Sequence, residues 1–314
     1  MATGPIRVAT RGSKLALAQA EWVIARLRRL FVSEDFETHI VKTTGDALAD
    51  AAGPIPAKGV FVKEIEQALL RGDARLAVHS LKDMPTDTLP GLVIAAIPER
   101  EDARDALISR SSAPLSEFPG GAVVGTGSAR RAAQLLAARP DLRIEPIRGN
   151  LDTRIAKLTG ARPSPVAYDA IVVAVAGCRR LGLDEAITEI LPPHVILPAP
   201  GQGALAVETR DDDAEAIRMV AAIDDGAARQ TTTAERACLR ALGGGCRVPI
   251  AAYAEIVADT LSLHARVCSP DGRTVVESEQ TGPRTAAEAL GRDLAATLIE
   301  RGADRLIREA GQPG

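Results

Sequence analysis

Ala122-Val123-Val124-Gly125-Thr126-Gly127-Ser128-Ala129-Arg130-Arg131-Ala132-Ala133-Gln134-Leu135-Leu136-Ala137-Ala138 is the stretch on which the reading of this chain turns. The apolar run Ala122–Gly125 predicts a strand and Ala129–Ala138 a helix, joined by three residues. A strand feeding a helix through so short a turn is the repeating unit of an α/β sheet. Backbone N–H groups in that turn, with the Thr126 and Ser128 hydroxyls, are placed to face a ligand beyond the strand end. Arg130 and Arg131 occupy the first helical turn, where the positive end of the helix opposes them. A cationic pair is stable there when an anion joins it.

The same alternation extends in both directions. Upstream, strands are predicted over Ile6–Thr10, Thr38–Lys42, Arg75–His79 and Leu92–Ala96, with helices over Lys14–Leu30 and Val62–Leu70. Asp46–Gly59, rich in Ala, Gly and Pro, reads as a mobile loop or lid. Downstream, Arg143–Ile147 and Asp169–Ala174 are strands flanking a helix at Asn150–Leu158. Four prolines between Pro192 and Pro200 mark a crossing between domains, and the isolated strand Ala204–Glu208 implies a return to the first block. The last block differs in character. A helix over Ala234–Leu242 stops at three glycines, strands follow around a Pro270-Asp271-Gly272 turn, and Thr285-x-x-Glu288 predicts a capping box for a closing helix toward Ile307. The expected fold is two mostly parallel α/β domains with crossing connections and a small C-terminal α+β domain. The domains are expected at 1–99 with 200–218, at 104–195 and at 222–314.

Composition narrows the function. A chain of 314 residues exceeds one ordinary core, so two or three domains are expected. Acidic residues exceed basic ones by 41 to 38 and aromatics make up 2%, which excludes a general polyanion binder and a base-stacking surface. The four cysteines lack C-x-x-C spacing and the four histidines lack H-x-x-x-H spacing, so no metal site is expected. No apolar run approaches a membrane span, and the first residues lack the pattern of an export signal. The chain is expected to be cytoplasmic, with reduced thiols and no membrane or nucleic-acid partner.

Within this mild overall charge, eight basic residues face three acidic ones between Ser128 and Arg162. Arg148-Gly149-Asn150 repeats the strand-to-helix arrangement, with Arg154 one turn further on. Guanidinium groups bind carboxylates through paired hydrogen bonds, so the segment suits a ligand bearing several carboxylates; a solvated basic face is the plainer alternative. Ala77-Val78-His79-Ser80-Leu81-Lys82-Asp83-Met84-Pro85 places a Lys and an Asp at a strand end, where open α/β sheets bind ligands. Asp83 there is a candidate general acid/base or stabiliser of a cationic intermediate, against a loop ion pair. His79 reads as a core histidine. Gly243-Gly244-Gly245-Cys246-Arg247 puts a thiol on a pliant loop beside a cation, suited to a nucleophile or an attachment point. Cys178, Cys238 and Cys268 fall in or beside predicted core elements.

In this order, Val78–Pro85, Gly125–Arg131, Arg148–Asn150, Leu197-Pro198-Ala199-Pro200-Gly201-Gln202-Gly203 and Gly243–Cys246 resemble the porphobilinogen deaminase (hydroxymethylbilane synthase) family nearly end to end. The resemblance implies two domains like periplasmic binding proteins, a third domain, and a dipyrromethane cofactor tethered by a thioether to Cys246. It implies a transferase of porphyrin and haem biosynthesis, acting as a monomer. Four porphobilinogen units are joined to the cofactor with loss of ammonia, and water releases the linear tetrapyrrole. By motif match, Arg11, Ser13, Lys82, Arg130, Arg131, Arg148, Arg154 and Arg180 contact carboxylates, with Thr126, Ser128 and Gly149 in the same turns. Asp83 stabilises the electron-poor ring left by ammonia, Phe61 stacks on a pyrrole, and Gln202 lines the cleft. Departures are Thr44 where many relatives carry Arg, a glycine-poor Pro56-Ala57-Lys58-Gly59, Gly127 in place of a common Ser, and Cys178 before the basic pair. Two other readings compete. A non-catalytic anion-binding module explains the α/β halves but not the Cys loop, and a Cys-dependent acyl transferase lacks a His–Cys arrangement.

Overall fold

The computed structural model describes residues 4–48, 61–243 and 248–311. Along the chain the elements are β1 Ile6–Arg11, α1 Lys14–Leu30, β2 Phe36–Val41, α2 Thr44–Leu48, α3 Lys63–Arg71, β3 Leu76–Ser80, β4 Leu92–Ala96, β5 Asp105–Ser109, β6 Val123–Gly125, α4 Ala129–Ala138, β7 Arg143–Glu145, α5 Leu151–Thr159, β8 Ala170–Ala174, α6 Val175–Arg180, β9 Glu189–Leu191, β10 Leu205–Arg210, α7 Ala214–Ala221, α8 Gly226–Ala241, β11 Ile250–Val257, β12 Thr260–Cys268, β13 Val275–Pro283, α9 Ala287–Glu300 and α10 Ala303–Gly311. No helix among the described residues is long and apolar enough to cross a membrane.

Contacts divide the chain into two compact units, Met1–Glu101 with Gly203–Arg229, and Asp102–Gln202 with Gln230–Gly314. The first unit holds a five-stranded sheet in the order β2-β1-β3-β10-β4. β1 runs parallel to β2 and β3, while β10 is antiparallel to both β3 and β4. Four strands therefore share one direction and β10 alone is reversed. Val8, Leu76, Val78, Leu205 and Val207 are buried on one face under α1, whose Ala20, Val23, Ile24 and Leu27 recur at helical spacing. On the other face, Ala9 and Ala77 pack against Ile65 and Leu69 of α3.

The second unit repeats this plan. Its five-stranded sheet has the order β7-β6-β8-β5-β9, with β6 parallel to β7 and β8, and β5 antiparallel to β8 and β9. Each sheet thus owes its reversed strand, β5 or β10, to the segment that has just entered from the other unit. This is the return that an isolated strand after four prolines implies.

The second unit also contains the three-stranded antiparallel sheet β11-β12-β13. Leu261, Leu263, Ala265 and Val267 of β12 form a core with Leu290, Leu294 and Leu298 of α9 and with Ala234 and Cys238 of α8. Gly291 lets α9 lie against α8, because a Cβ there would sit 2.4 Å from the Ala234 carbonyl oxygen. The fold class is the expected one: two α/β sheets with crossing connections and a small α+β part.

Some local expectations are corrected. The Thr285-x-x-Glu288 capping box does not form; Arg284–Ala286 is a 3-10 turn, and Ala286 precedes α9 without a side-chain cap bond. The closing helix is two helices, interrupted at Arg301-Gly302. α8 begins eight residues before Ala234, and β2 begins two residues before Thr38. Asp46 lies in the short helix α2 rather than a loop, and residues 49–59 of the expected lid fall outside the described residues.

Candidate functional site

β2, β1 and β3 run parallel, so their carboxyl ends share one edge of the first unit's sheet. Arg11 at the end of β1, and Ser13, Asp46, Lys82 and Asp83 on the segments leaving the strands, lie along this edge. Arg11 ends β1. Its Nη2 donates to Asp46 Oδ1 at 2.6 Å, and its guanidinium lies over the Phe61 ring, 4.1 Å from the centroid. Thr43 Oγ1 donates to Asp46 Oδ2 at 2.7 Å. Burial works against the Asp46 charge, but Arg11 and Thr43 hold its carboxyl below the usual range. Arg11 and Phe61 therefore meet each other at this edge. Ser13 Oγ accepts from Ala16 N–H at 3.3 Å and caps α1. Lys82, half-buried, and Asp83, exposed, lie on a 3-10 turn that follows β3 directly.

In the second unit β7, β6 and β8 are likewise parallel, and their carboxyl ends gather the expected basic groups. Arg148 and Gly149 follow β7; Thr126, Ser128, Arg130 and Arg131 follow β6; and α6, which ends at Arg180, follows β8. Ser128 caps α4, its Oγ accepting from Arg131 N–H at 3.4 Å, and Thr126 Oγ1 accepts from Ser128 N–H at 3.2 Å.

Arg130 and Arg131 are only 5% and 6% exposed. The anion that this pair requires is supplied by the chain. Asp105, wholly buried at the start of β5, lies 2.8 Å from Arg130 Nη1 through Oδ2 and 2.7 Å from Arg131 Nη2 through Oδ1. Burial disfavours this carboxylate, yet the two guanidiniums hold its pKa far below the usual range. Gln202 Nε2 donates to Asp105 Oδ1 at 2.9 Å and to the Ala103 carbonyl at 2.6 Å, so Gln202 belongs to the same cluster. Two guanidiniums against one carboxylate leave one positive charge at the start of α4.

The next junction is basic as well. Gly149 has φ +107°, and a Cβ there would come within 2.5 Å of Thr153 Cγ2, so the turn requires glycine. Its carbonyl accepts from Arg154 Nε at 2.8 Å, and the Arg148 carbonyl accepts from Lys157 Nζ at 3.0 Å. Asn150 precedes α5 without a side-chain cap bond.

Cys246, with Gly244, Gly245 and Arg247, lies outside the described residues. Cys178, Cys238 and Cys268 are free thiols and buried. Burial pushes them up to about 11, about 12 and about 11. His79 is buried, with Nε2 3.1 Å from Glu208 Oε2.

Besides Glu208, the buried partner of His79, two more buried carboxylates are not apparent from the sequence. Asp105 reads as an ordinary strand start before Ala106-Leu107-Ile108. Glu235 falls in the helix predicted from Ala234 and is fully buried, accepting from Gly201 N–H at 2.7 Å and Ala254 N–H at 2.8 Å. Neither carries a local signal of burial: Arg104 precedes Asp105 and Arg236 follows Glu235, so each reads as part of a polar stretch, and only contacts distant in sequence enclose it.

A family model described as "Porphobilinogen deaminase, dipyromethane cofactor binding domain" matches residues 6–218, and "Porphobilinogen deaminase, C-terminal domain" matches 229–300. The chain is 49% identical over 304 residues to a porphobilinogen deaminase of Geobacillus kaustophilus, covering 96% of each. It is 46% identical over 316 residues to that of Bacillus subtilis, covering 98% of each. Among solved structures, the periplasmic VFT2 domain of Bordetella pertussis BvgS matches with a TM-score of 0.40 and 15% identity, over 69% of this chain and 85% of that one, too distant to carry an argument. With the two family models spanning both units, and relatives matched nearly end to end at close to half identity, this chain belongs to the porphobilinogen deaminase family.

Proposed function

We propose that the protein is a transferase that deaminates four porphobilinogen units and joins them head to tail on a covalently held dipyrromethane, water then releasing the linear tetrapyrrole. It serves porphyrin and haem biosynthesis, in the cytoplasm, as a monomer, with no nucleic-acid partner. Residues 222–314 act as a third domain that carries the attachment loop.

The observation that carries this reading is the gathering of guanidinium groups at the carboxyl ends of three adjacent parallel strands in the second unit. The donor set there is guanidinium, ammonium and helix-start N–H, which suits a group bearing several carboxylates. The dipyrromethane is such a group, so the residues fit it. Arg130, Arg131, Arg148, Arg154 and Arg180 would hold it, with Thr126, Ser128 and Gly149 shaping the turns and Gln202 fixing Arg131. Cys246 would tether it, and the three buried thiols, which hold their protons at neutral pH, support that choice. When bound, the dipyrromethane supplies the pyrrole carbon to which the first substrate ring is joined.

At the first unit's edge, Lys82, Arg11 and Ser13 pair with substrate acetate and propionate. Phe61 offers a ring face. Asp83 accepts hydrogen bonds from pyrrole N–H groups, stabilises the positive charge that develops on the substrate ring as ammonia departs, and takes up the proton lost when the ring regains aromaticity. An exposed carboxylate on a short turn can do this at little cost to the fold. Replacing Asp83 with Ala is expected to lower porphobilinogen consumption by at least ~100-fold, with the thermal midpoint unchanged. Turnover within a few-fold of the parent would remove Asp83 from the mechanism.

A further inference from the structure

β3 changes character at its end. Leu76, Ala77 and Val78 are apolar and buried, but the last two residues before the Lys82-Asp83 turn are His79 and Ser80. They point to opposite faces of the sheet, and each is tied by a polar bond. His79 Nε2 lies 3.1 Å from Glu208 Oε2, with the two side chains 3% and 0% exposed. Ser80 Oγ lies 3.0 Å from Nε2 and 3.1 Å from Oε1 of Gln19, a buried residue of α1.

The bonds run in different directions. Across the ladder His79 stands opposite Ala206, and Glu208 opposite Ala77, so the His79–Glu208 contact is diagonal and resists sliding of β3 along β10. Ser80–Gln19 ties the other face to a helix. One further bond, Leu81 N–H to the Ala204 carbonyl at 3.0 Å, carries the β3–β10 pairing into the turn itself.

For stability alone this is an expensive arrangement. Glu208 Oε1 is buried with no hydrogen-bond partner among the described residues, and apolar side chains of like volume would fill the position more cheaply. What directional bonds add over apolar packing is a defined geometry. We propose that His79, Glu208, Ser80 and Gln19 are positioning residues that fix the direction in which the Lys82-Asp83 turn leaves the sheet. The inference rests on the reading of Asp83 as the group acting at the substrate ring.

The test is the double variant His79→Leu with Glu208→Leu in the cofactor-loaded protein. The expected result is a thermal midpoint equal to or above the parent's, cofactor loading by mass unchanged, KM for porphobilinogen within about twofold, and kcat lower by ~10- to 100-fold. Hydrogen exchange at residues 81–84 should quicken while the rest of the sheet is unaltered. Glu208→Gln, which can still bond His79, should restore kcat to within about threefold of the parent. A folded double variant with parental kcat and exchange would overturn the proposal, as would failure of Glu208→Gln to recover. If the leucine pair does not fold, Gln19→Leu with Ser80→Ala is judged by the same criteria. Asp83→Ala run alongside separates the two claims: full turnover in that variant sinks the role of Asp83, whereas loss there with a fully active leucine pair sinks only the positioning.

Discussion

Arg130 shows how one residue can serve both fold and ligand. It lies at the positive end of α4, buried, where its charge is tolerable because Asp105 sits 2.8 Å away. Cutting that pair strands a carboxylate in the interior, with Arg131 as its remaining charged partner. Arg130→Leu is therefore predicted to cost about 3 kcal/mol of stability, read as a lower denaturant midpoint at unchanged m-value, in addition to hindering cofactor loading. Adding Asp105→Asn should recover part of that loss. A single variant as stable as the parent would show that the Arg130–Asp105 pair contributes nothing to the stability of the fold. The sequence pointed to an anion at this helix start. It did not reveal that the chain supplies the first one, because Asp105 lies 25 positions upstream and only sheet pairing brings it alongside.

At the scale of elements, short strands and amphipathic helices were legible because their apolar period is local. Leu92–Ala96 and Ala129–Ala138 have the expected bounds. The misplaced ends are those set by packing. Thr285-x-x-Glu288 has the composition of a capping box, yet the 3-10 turn after β13 places Ala286 at the cap. The contact of α9 with α8 depends on Gly291, where a Cβ would also come within 2.8 Å of Cys238 N. Gly291→Ala should destabilise the second unit by about 1–3 kcal/mol, although alanine is the better helix former; a raised thermal midpoint would show that the helices can part without cost.

α7 offers a titration test. Asp213 caps it by accepting from Ala216 N–H at 2.9 Å and also binds Arg75 Nε at 2.7 Å. The Arg75 bond lowers its carboxyl to about 2. A carboxyl lowered on folding contributes stability that is complete above its unfolded value of about 4 and is lost as pH falls toward the folded one. Asp213→Asn should thus cost about 1 kcal/mol at neutral pH and flatten the acid limb of the stability curve below pH ~4. An acid limb identical to the parent's would exclude this pair as a contributor.

At the scale of the whole molecule, the chain builds two sheets of the same strand order, each completed by a reversed strand from the segment that returns from the other unit, and a third sheet within the second unit. The repeated order puts the acid turn after β3 in one unit and the guanidinium-bearing turns after β6 and β7 in the other, at the carboxyl ends of their strands. That division was legible from strand–turn–helix motifs, since each motif lies within about ten residues. The clusters built by Gln202, Asp105 and Glu235 were not, since they join segments far apart in sequence. The proposed chemistry requires that one sulfur anchor the growing product, which intact-protein mass measurement with peptide mapping on the active protein can decide. The expected result is a chain heavier by two linked pyrrole units, carried by the peptide containing Cys246; an unmodified Cys246 in protein that turns over porphobilinogen, or pyrroles on Cys178, Cys238 or Cys268, would overturn it.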